Sequence, residues 1–299
     1  MTRKVIYIIN PVAGTRTKKN LQDLIEEKTK QLEIPFWIFP SVASGDYSFL
    51  QPIIKEKKIT DVIIAGGDGT VSQVVGSLLN EDLNFGIIPC GSGNGLAYAA
   101  KIPRQPDKAL DIIFNGRAEE TDGFYINNTF ACMLAGIGFD GKVAHEFARQ
   151  EKRGLGTYAR LVGKNFFSSD PYVFLIESNG LKFSVEAFFI SIANSNQFGN
   201  NFTIAPKASL ADGLLDIVVA KKTTKPLLLF NLINQILRGK IRNLSSSLDQ
   251  PVIYFQTEKI KIRNISLAPM HIDGDPAETA DKLLIEVKKK CFRLIQPVL

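Results

Sequence analysis

Three glycine-rich stretches, NPVAG (10–14), GGDGTVS (66–72) and GSGNG (91–95), each follow a short apolar run, and the second and third open helical patterns. A strand that ends in glycines and then starts a helix presents backbone N–H groups and a helix N-terminus at the carboxyl edge of a sheet. That is an anion site. The glycines let a ligand approach the backbone closely, and the Thr70 hydroxyl suits both capping of the helix and bonding to a phosphate oxygen. Asp68 is out of place there, because a carboxylate repels a bare phosphate. A Mg²⁺ ion accompanying the phosphate resolves the conflict, since a hard cation bridges a carboxylate and nucleotide oxygens. One such loop alone reads equally as a tight turn; three at successive strand ends point to a nucleotide triphosphate, with Asn10 and Gly14 completing the cradle. The sequence has neither a G-x-x-x-x-G-K-[ST] loop nor the protein-kinase signature set.

The elements that position these loops are legible as alternating patterns. Continuous apolar runs at 4–10, 36–41, 61–66 and 85–90 suit strands covered on both faces, and helical spacing fills 18–32, 44–58 and 70–80. This β-α order predicts a Rossmann-like parallel sheet over residues 1–122. Beyond it the segments lengthen and several alternate apolar with polar residues: 124–136, 171–178, 182–195, 214–222, 251–264 and 282–295. A mainly antiparallel β-domain over 123–299 follows, interrupted by helical patterns at 140–150 and 225–238.

The chain has 299 residues, 45% hydrophobic and 22% charged, which suits a two-domain globular protein. A net charge of +6 and a pI near 9.1 favour anionic ligands or an anionic membrane surface, and no nucleic-acid-binding motif is present. Cys90, Cys132 and Cys291 lack the paired spacing of a zinc site, so free thiols in a reducing compartment are expected. The first apolar run is too short for a signal peptide. The longest, 226–237, is interrupted by Asn231, Asn234 and Gln235 and falls short of the ~20 residues that span a bilayer. A cytoplasmic protein with peripheral membrane association is expected.

The motifs NPVAG, GGDGTV and PCGSGNGLA resemble the catalytic domain shared by diacylglycerol kinases, sphingosine and ceramide kinases and bacterial lipid kinases. AGIGFDGKV (135–143), SLADGLLDIVV (209–219) and HIDGDPAE (271–278) extend the resemblance over essentially the whole chain. It implies a nucleotide-binding α/β domain of the phosphofructokinase and NAD-kinase type, a β-sandwich C-terminal domain, and transfer of the γ-phosphate of ATP to a lipid hydroxyl with Mg²⁺. In this family Gly66, Gly67, Asp68, Gly69, Thr70, Val71 and Ser72 would wrap the phosphates. Gly91, Ser92, Gly93 and Asn94, with Asn10 and Ser41, would line the nucleotide. Asp273 falls where the family places its general base, and Asp68 and Asp122 where it places acids of the Mg²⁺ network. The bacterial members' separate structural Mg²⁺ site would use the Asp212 carboxylate and the carbonyls of Ser209 and Leu214.

Two departures affect the metal more than the cradle. Ser72-Gln73 replaces the usual Asn-Glu after GGDGT-x, and Asp275 replaces the usual Glu of DGE. Both histidines, His145 and His271, read as structural. A basic, apolar-interleaved stretch at 148–167, with Arg160 and Lys164 beside Leu161 and Phe166, suits anionic headgroups or packing on a sheet, as does 221–242. The resemblance implies a neutral glycerolipid such as diacylglycerol as the expected acceptor, because sphingosine kinases carry an acid where Lys142 stands here. A sphingoid base or ceramide, a catalytically inactive nucleotide-binding regulator, and a soluble kinase acting on NAD or a sugar phosphate are the alternatives. A homodimer is compatible with the chain.

Overall fold

The structure is a computed structural model and describes residues 2–11, 18–150, 155–166, 168–195, 205, 208–224, 226 and 250–298. The chain forms two compact units, Met1–Thr121 with Lys290–Leu299, and Asp122–Lys289.

In the first unit β1 (Val5–Ile9), α1 (Lys18–Gln31), β2 (Phe36–Pro40), α2 (Gln51–Lys57), β3 (Asp61–Gly66), α3 (Asp68–Leu78), β4 (Asn84–Pro89), α4 (Gly95–Ala99) and α5 (Pro106–Asn115) alternate. β1 pairs in parallel with β2 and β3, and β3 with β4, giving the order 2-1-3-4. Every residue of β1 and β3 is buried, as strands covered on both faces require. The strand order reverses between β1 and β3, and in such sheets ligands bind outside the carboxyl ends at that reversal. The ladder continues past the strand ends: Ser41 N–H donates to the Ile9 carbonyl, Asn10 N–H to Ala65 and Cys90 N–H to Gly66, each at 2.9 Å. Ser41, Asn10, Gly67 and Cys90 are thereby brought to one edge.

In the second unit the elements after β5 (Arg117–Ile126) are β6 (Thr129–Ala131), β7 (Leu134–Gly138), α6 (Phe139–Ala148), α7 (Leu155–Phe166), β8 (Tyr172–Ser178), β9 (Leu181–Ala193), β10 (Leu215–Lys221), β11 (Val252–Thr257), β12 (Lys259–Asn264), β13 (Met270–Ile272), β14 (Asp275–Ala277) and β15 (Lys282–Gln296). β9 has 13 residues and partners β8, β7 and β10, all antiparallel. β12 alternates exposed and buried residues without exception, its Ile260 and Ile262 entering a core built around Phe124, Phe174, Ile190 and Ile217. The hairpin β13–β14 lies antiparallel beside β7.

The structure adds to the sequence reading at three points. Residues 290–299, assigned from sequence to the second domain, belong to the first unit: Arg293 and Leu294 pair in parallel with Asn84 and Phe85, and Ile295 is buried in the first unit's core. The helix α5 was not anticipated, although Pro106 at its start and its buried Ala109, Leu110 and Ile113 are ordinary helix signals. In the basic stretch, Leu161 is buried and the Phe166 ring meets Phe139 edge-on at 5.8 Å, so α7 turns these apolar side chains inward while Arg160 and Lys164 stay exposed. Gly14 and the second candidate membrane stretch beyond 224, Pro226 apart, lie outside the described residues. Among the described residues no helix is long and apolar enough to cross a membrane. None of the three cysteines forms a disulfide.

Candidate active site

The first unit brings two glycine loops together. Gly67 and Gly91 face each other so closely that a β-carbon on Gly91 would lie 2.6 Å from the Gly67 Cα, and one on Gly66 would lie 2.9 Å from the Thr70 Cβ. These glycines therefore let the loops approach each other and their own helix. Asp68 ties the loops together. Its Oδ2 accepts the Gly95 N–H at 3.0 Å and its Oδ1 the Leu96 N–H at 3.2 Å, so a residue at the start of α3 neutralises the start of α4. The carboxylate in the glycine motif thus has a structural partner in the next loop.

The expected capping by Thr70 is not observed. Gly67 is the N-cap of α3, with extended backbone and no side-chain cap, and the Thr70 hydroxyl accepts the Asn10 Nδ2–H at 2.9 Å. The first helical bond runs from Val71 N–H to the Gly67 carbonyl, which leaves the amides of Asp68, Gly69 and Thr70 outside the helix ladder. Ser72 is buried, and its hydroxyl has no hydrogen-bond partner among the described residues. Asn94 has a left-handed backbone, φ +58°, and spends its amide on Gly91: Oδ1 accepts the Gly91 N–H at 2.7 Å and Nδ2 donates to its carbonyl at 2.8 Å. It shapes the loop in which Ser92 and Gly93 sit. The Ser41 hydroxyl is hydrogen-bonded to Tyr47, whose own pKa burial pushes up against that bond and the Val42 N–H. Gln73, at the departure from the family pattern, packs against the space below Gly45. The amides outside the helix ladder, the buried Ser72 hydroxyl and the close glycine packing fit a phosphate chain. The Asp68 carboxylate, bonded to two amides, is an oxygen donor of the kind a Mg²⁺ ion takes.

The second unit seats Asp273. It is 4% exposed and, with Gly274, forms a two-residue turn between paired Ile272 and Asp275, with φ of +48° and +86°. Positive φ at both positions defines the tight hairpin turn in which Asp-Gly is favoured. The Asp273 carboxylate accepts three backbone amides: Cys132 N–H at 3.0 Å on Oδ2, and Met133 and Leu134 N–H at 3.0 and 2.8 Å on Oδ1. Its own N–H donates to the Leu134 carbonyl at 2.8 Å. Hydrogen bonds of this kind fix a carboxylate in one orientation.

The segment 132–134 also reaches Asp122. The fully buried Asn194 donates through Nδ2 to the carbonyls of Asp122 and Cys132 at 2.8 and 3.1 Å. Asp122 Oδ2 accepts the Gly213 N–H at 2.7 Å, and Asp212 Oδ1 accepts Leu214 N–H at 3.1 Å. Burial first, and then the charge of Asp122, push the Asp212 carboxyl above its ordinary range. Asp122 lies close enough for its charge to act on Asp212, and two neighbouring carboxylates are oxygen donors of the kind a hard cation takes. Neither Asn194 nor the 132–134 amides were singled out from sequence. Backbone donors have no residue signature.

A parallel unit with phosphate-type glycine loops and a β-sandwich-like unit with a seated carboxylate describe a kinase of two-domain build. Residues 4–126 match the family described as Diacylglycerol kinase catalytic domain, and residues 134–296 match the YegS C-terminal NAD kinase beta sandwich-like domain. The chain belongs to the diacylglycerol kinase catalytic-domain family, in its YegS-like lipid kinase branch. It is 28% identical to a diacylglycerol kinase of Bacillus subtilis (strain 168) over 91% of this chain and 89% of that one. It is 30% identical to the protein sll0036 of Synechocystis sp., over 97% and 70%. A crystal structure of a diacylglycerol kinase from Bacillus anthracis str. Sterne, 20% identical, shares the fold with a TM-score of 0.75 over 98% of this chain and 97% of that one.

Proposed function

We propose that this lipid kinase transfers the γ-phosphate of Mg²⁺-bound ATP to the hydroxyl of a neutral glycerolipid, with diacylglycerol as the first candidate, at a membrane surface. The observation that carries the reading is the seating of Asp273. A carboxylate held by three amides in a two-residue turn is oriented for one task, and a lipid hydroxyl must lose a proton as it attacks phosphorus. Asp273 takes that proton. The amides at the start of α3 and the Ser72 hydroxyl hold phosphate oxygens, and Asn10 steadies Thr70 beside them. A Mg²⁺ ion held by Asp68 would neutralise the phosphate charge. Asp122 and Asp212, with the carbonyls of Ser209 and Leu214, would hold a second, structural Mg²⁺.

The preference for a neutral acceptor rests on Lys142, a base on α6 where an ammonium-bearing sphingoid substrate would call for an acid, and on likeness to the Bacillus subtilis diacylglycerol kinase. Arg160 and Lys164, exposed on α7, would meet anionic headgroups. The test is incubation with γ-labelled ATP, Mg²⁺ and mixed micelles of diacylglycerol, monoacylglycerol, sphingosine or ceramide, followed by organic extraction. Label in diacylglycerol is expected; label only in sphingosine or ceramide overturns the acceptor, and label in no lipid overturns the reading.

A further inference from the structure

His271 and Asp140 are 3% and 7% exposed, and neither has a part in the chemistry described above. His271 lies on β13 directly opposite Gly136 of β7, two residues before Asp273. Its Nδ1 accepts the Gly274 N–H at 3.3 Å, which puts the proton of the neutral ring on Nε2, and Nε2 lies 3.5 Å from Asp140 Oδ2. Asp140 stands in the first turn of α6, with Oδ1 accepting the Gly141 N–H at 2.9 Å, while Oδ2 makes no hydrogen bond to any described residue and faces the imidazole. The site is built to admit this pair. A β-carbon at position 136 would lie 2.0 Å from Asp140 Oδ2 and 2.5 Å from His271 Nε2, and one at Gly141 would lie 2.2 Å from the Pro269 carbonyl oxygen. Glycine at both positions allows α6 to close down on β13, where His145 Nε2 also bonds the Met270 carbonyl at 3.0 Å.

We propose that His271 and Asp140 are a positioning pair for Asp273. The imidazole is wedged between the Asp140 carboxylate on one side and the Gly274 amide on the other, and so fixes the Asp273-Gly274 turn against α6. The turn in turn keeps the Asp273 carboxylate seated on the amides of 132–134. Both histidines read as structural from sequence; His271 instead bonds directly to the turn that presents the proposed base, through a ring tautomer set by that turn. The proposal rests on the reading of Asp273 as the proton acceptor.

The test separates His271→Leu, which removes the acceptor, from His271→Asn, whose side-chain oxygen falls near the Nδ1 position and keeps it. Two readouts are taken: kcat with KM for ATP in the lipid assay, and hydrogen exchange of the Met133 and Leu134 amides by NMR. His271→Leu is expected to lower kcat about 10- to 100-fold with KM for ATP unchanged, the scale of a misplaced reacting group. Exchange at Met133 and Leu134 accelerates, and His271→Asn restores most of both. Asp140→Asn moves kcat the same way by a smaller factor. Wild-type kcat and exchange in His271→Leu would overturn the proposal, as would equal loss in His271→Asn accompanied by a raised KM for ATP. If the wild type labels no lipid, the functional reading fails by itself, and exchange decides alone: faster in His271→Leu supports the pair, unchanged exchange overturns it.

Discussion

Asp68 and Asp273 are two carboxylates gripped by backbone amides, one in each unit, and they differ in what the grip accomplishes. Asp68 leaves its own helix to bond the first amides of α4, joining two loops that are neighbours along the sheet edge. Asp273 is held by three amides some 140 residues away in sequence, on a turn whose backbone is itself left-handed. The first arrangement makes a platform; the second aims one group. In the first unit the amides at the start of α3 stay outside the helix ladder, and the buried Ser72 hydroxyl has no hydrogen-bond partner among the described residues.

Substitutions can break this contrast. The largest effect is expected at Asp273→Asn. It removes the proton acceptor and lowers kcat by at least about 10²- to 10⁴-fold, and its amide group, set against one of the three N–H donors, also costs about 1–3 kcal/mol of stability, readable as a fall in Tm. Gly91→Ala comes next. Its β-carbon meets the Gly67 Cα at 2.6 Å, backbone against backbone, so the loops must part and KM for ATP should rise about tenfold or more while residual kcat with saturating ATP falls less. Asp68→Asn turns one acceptor into a donor facing an amide of α4 and should lower stability by about 1–3 kcal/mol, measured by denaturant unfolding. The smallest effect belongs to Asp212. Its raised carboxyl makes the folded state bind a proton more readily than the unfolded chain, so this contribution is present below the ordinary carboxylate range and is lost as pH rises through the folded value. In a chelator, Asp212→Asn should flatten that decline in Tm with pH; an unchanged slope would show that the Asp212 carboxyl is not raised in the folded state.

The difference between the two carboxylates also explains what the sequence could reveal. β1, β3 and β4 are apolar runs that end in glycine, asparagine or proline-cysteine, so the parallel unit and its loops follow from local pattern. Asp68 stood out because a local motif contained a charge that needed explaining. Its partner was missed, since Gly95 and Leu96 act through backbone amides. Asp273 stood out through resemblance, as an Asp-Gly turn between short strands has many uses. The amides of 132–134, Asn194 and the His271–Asp140 contact depend on the register of β7 against β9 and β13, which no spacing in the sequence specifies. The return of 290–299 to the first unit is of the same kind: β15 reads as one continuous strand, and only pairing shows that its end lies beside β4.

The most direct measurement is Mg²⁺-ATP binding by calorimetry to the wild type, Asp273→Asn and Asp68→Asn under identical conditions. Division of labour predicts wild-type affinity in Asp273→Asn, despite its lost turnover, and weakened binding in Asp68→Asn. Weakened binding in Asp273→Asn with unaltered binding in Asp68→Asn would contradict it.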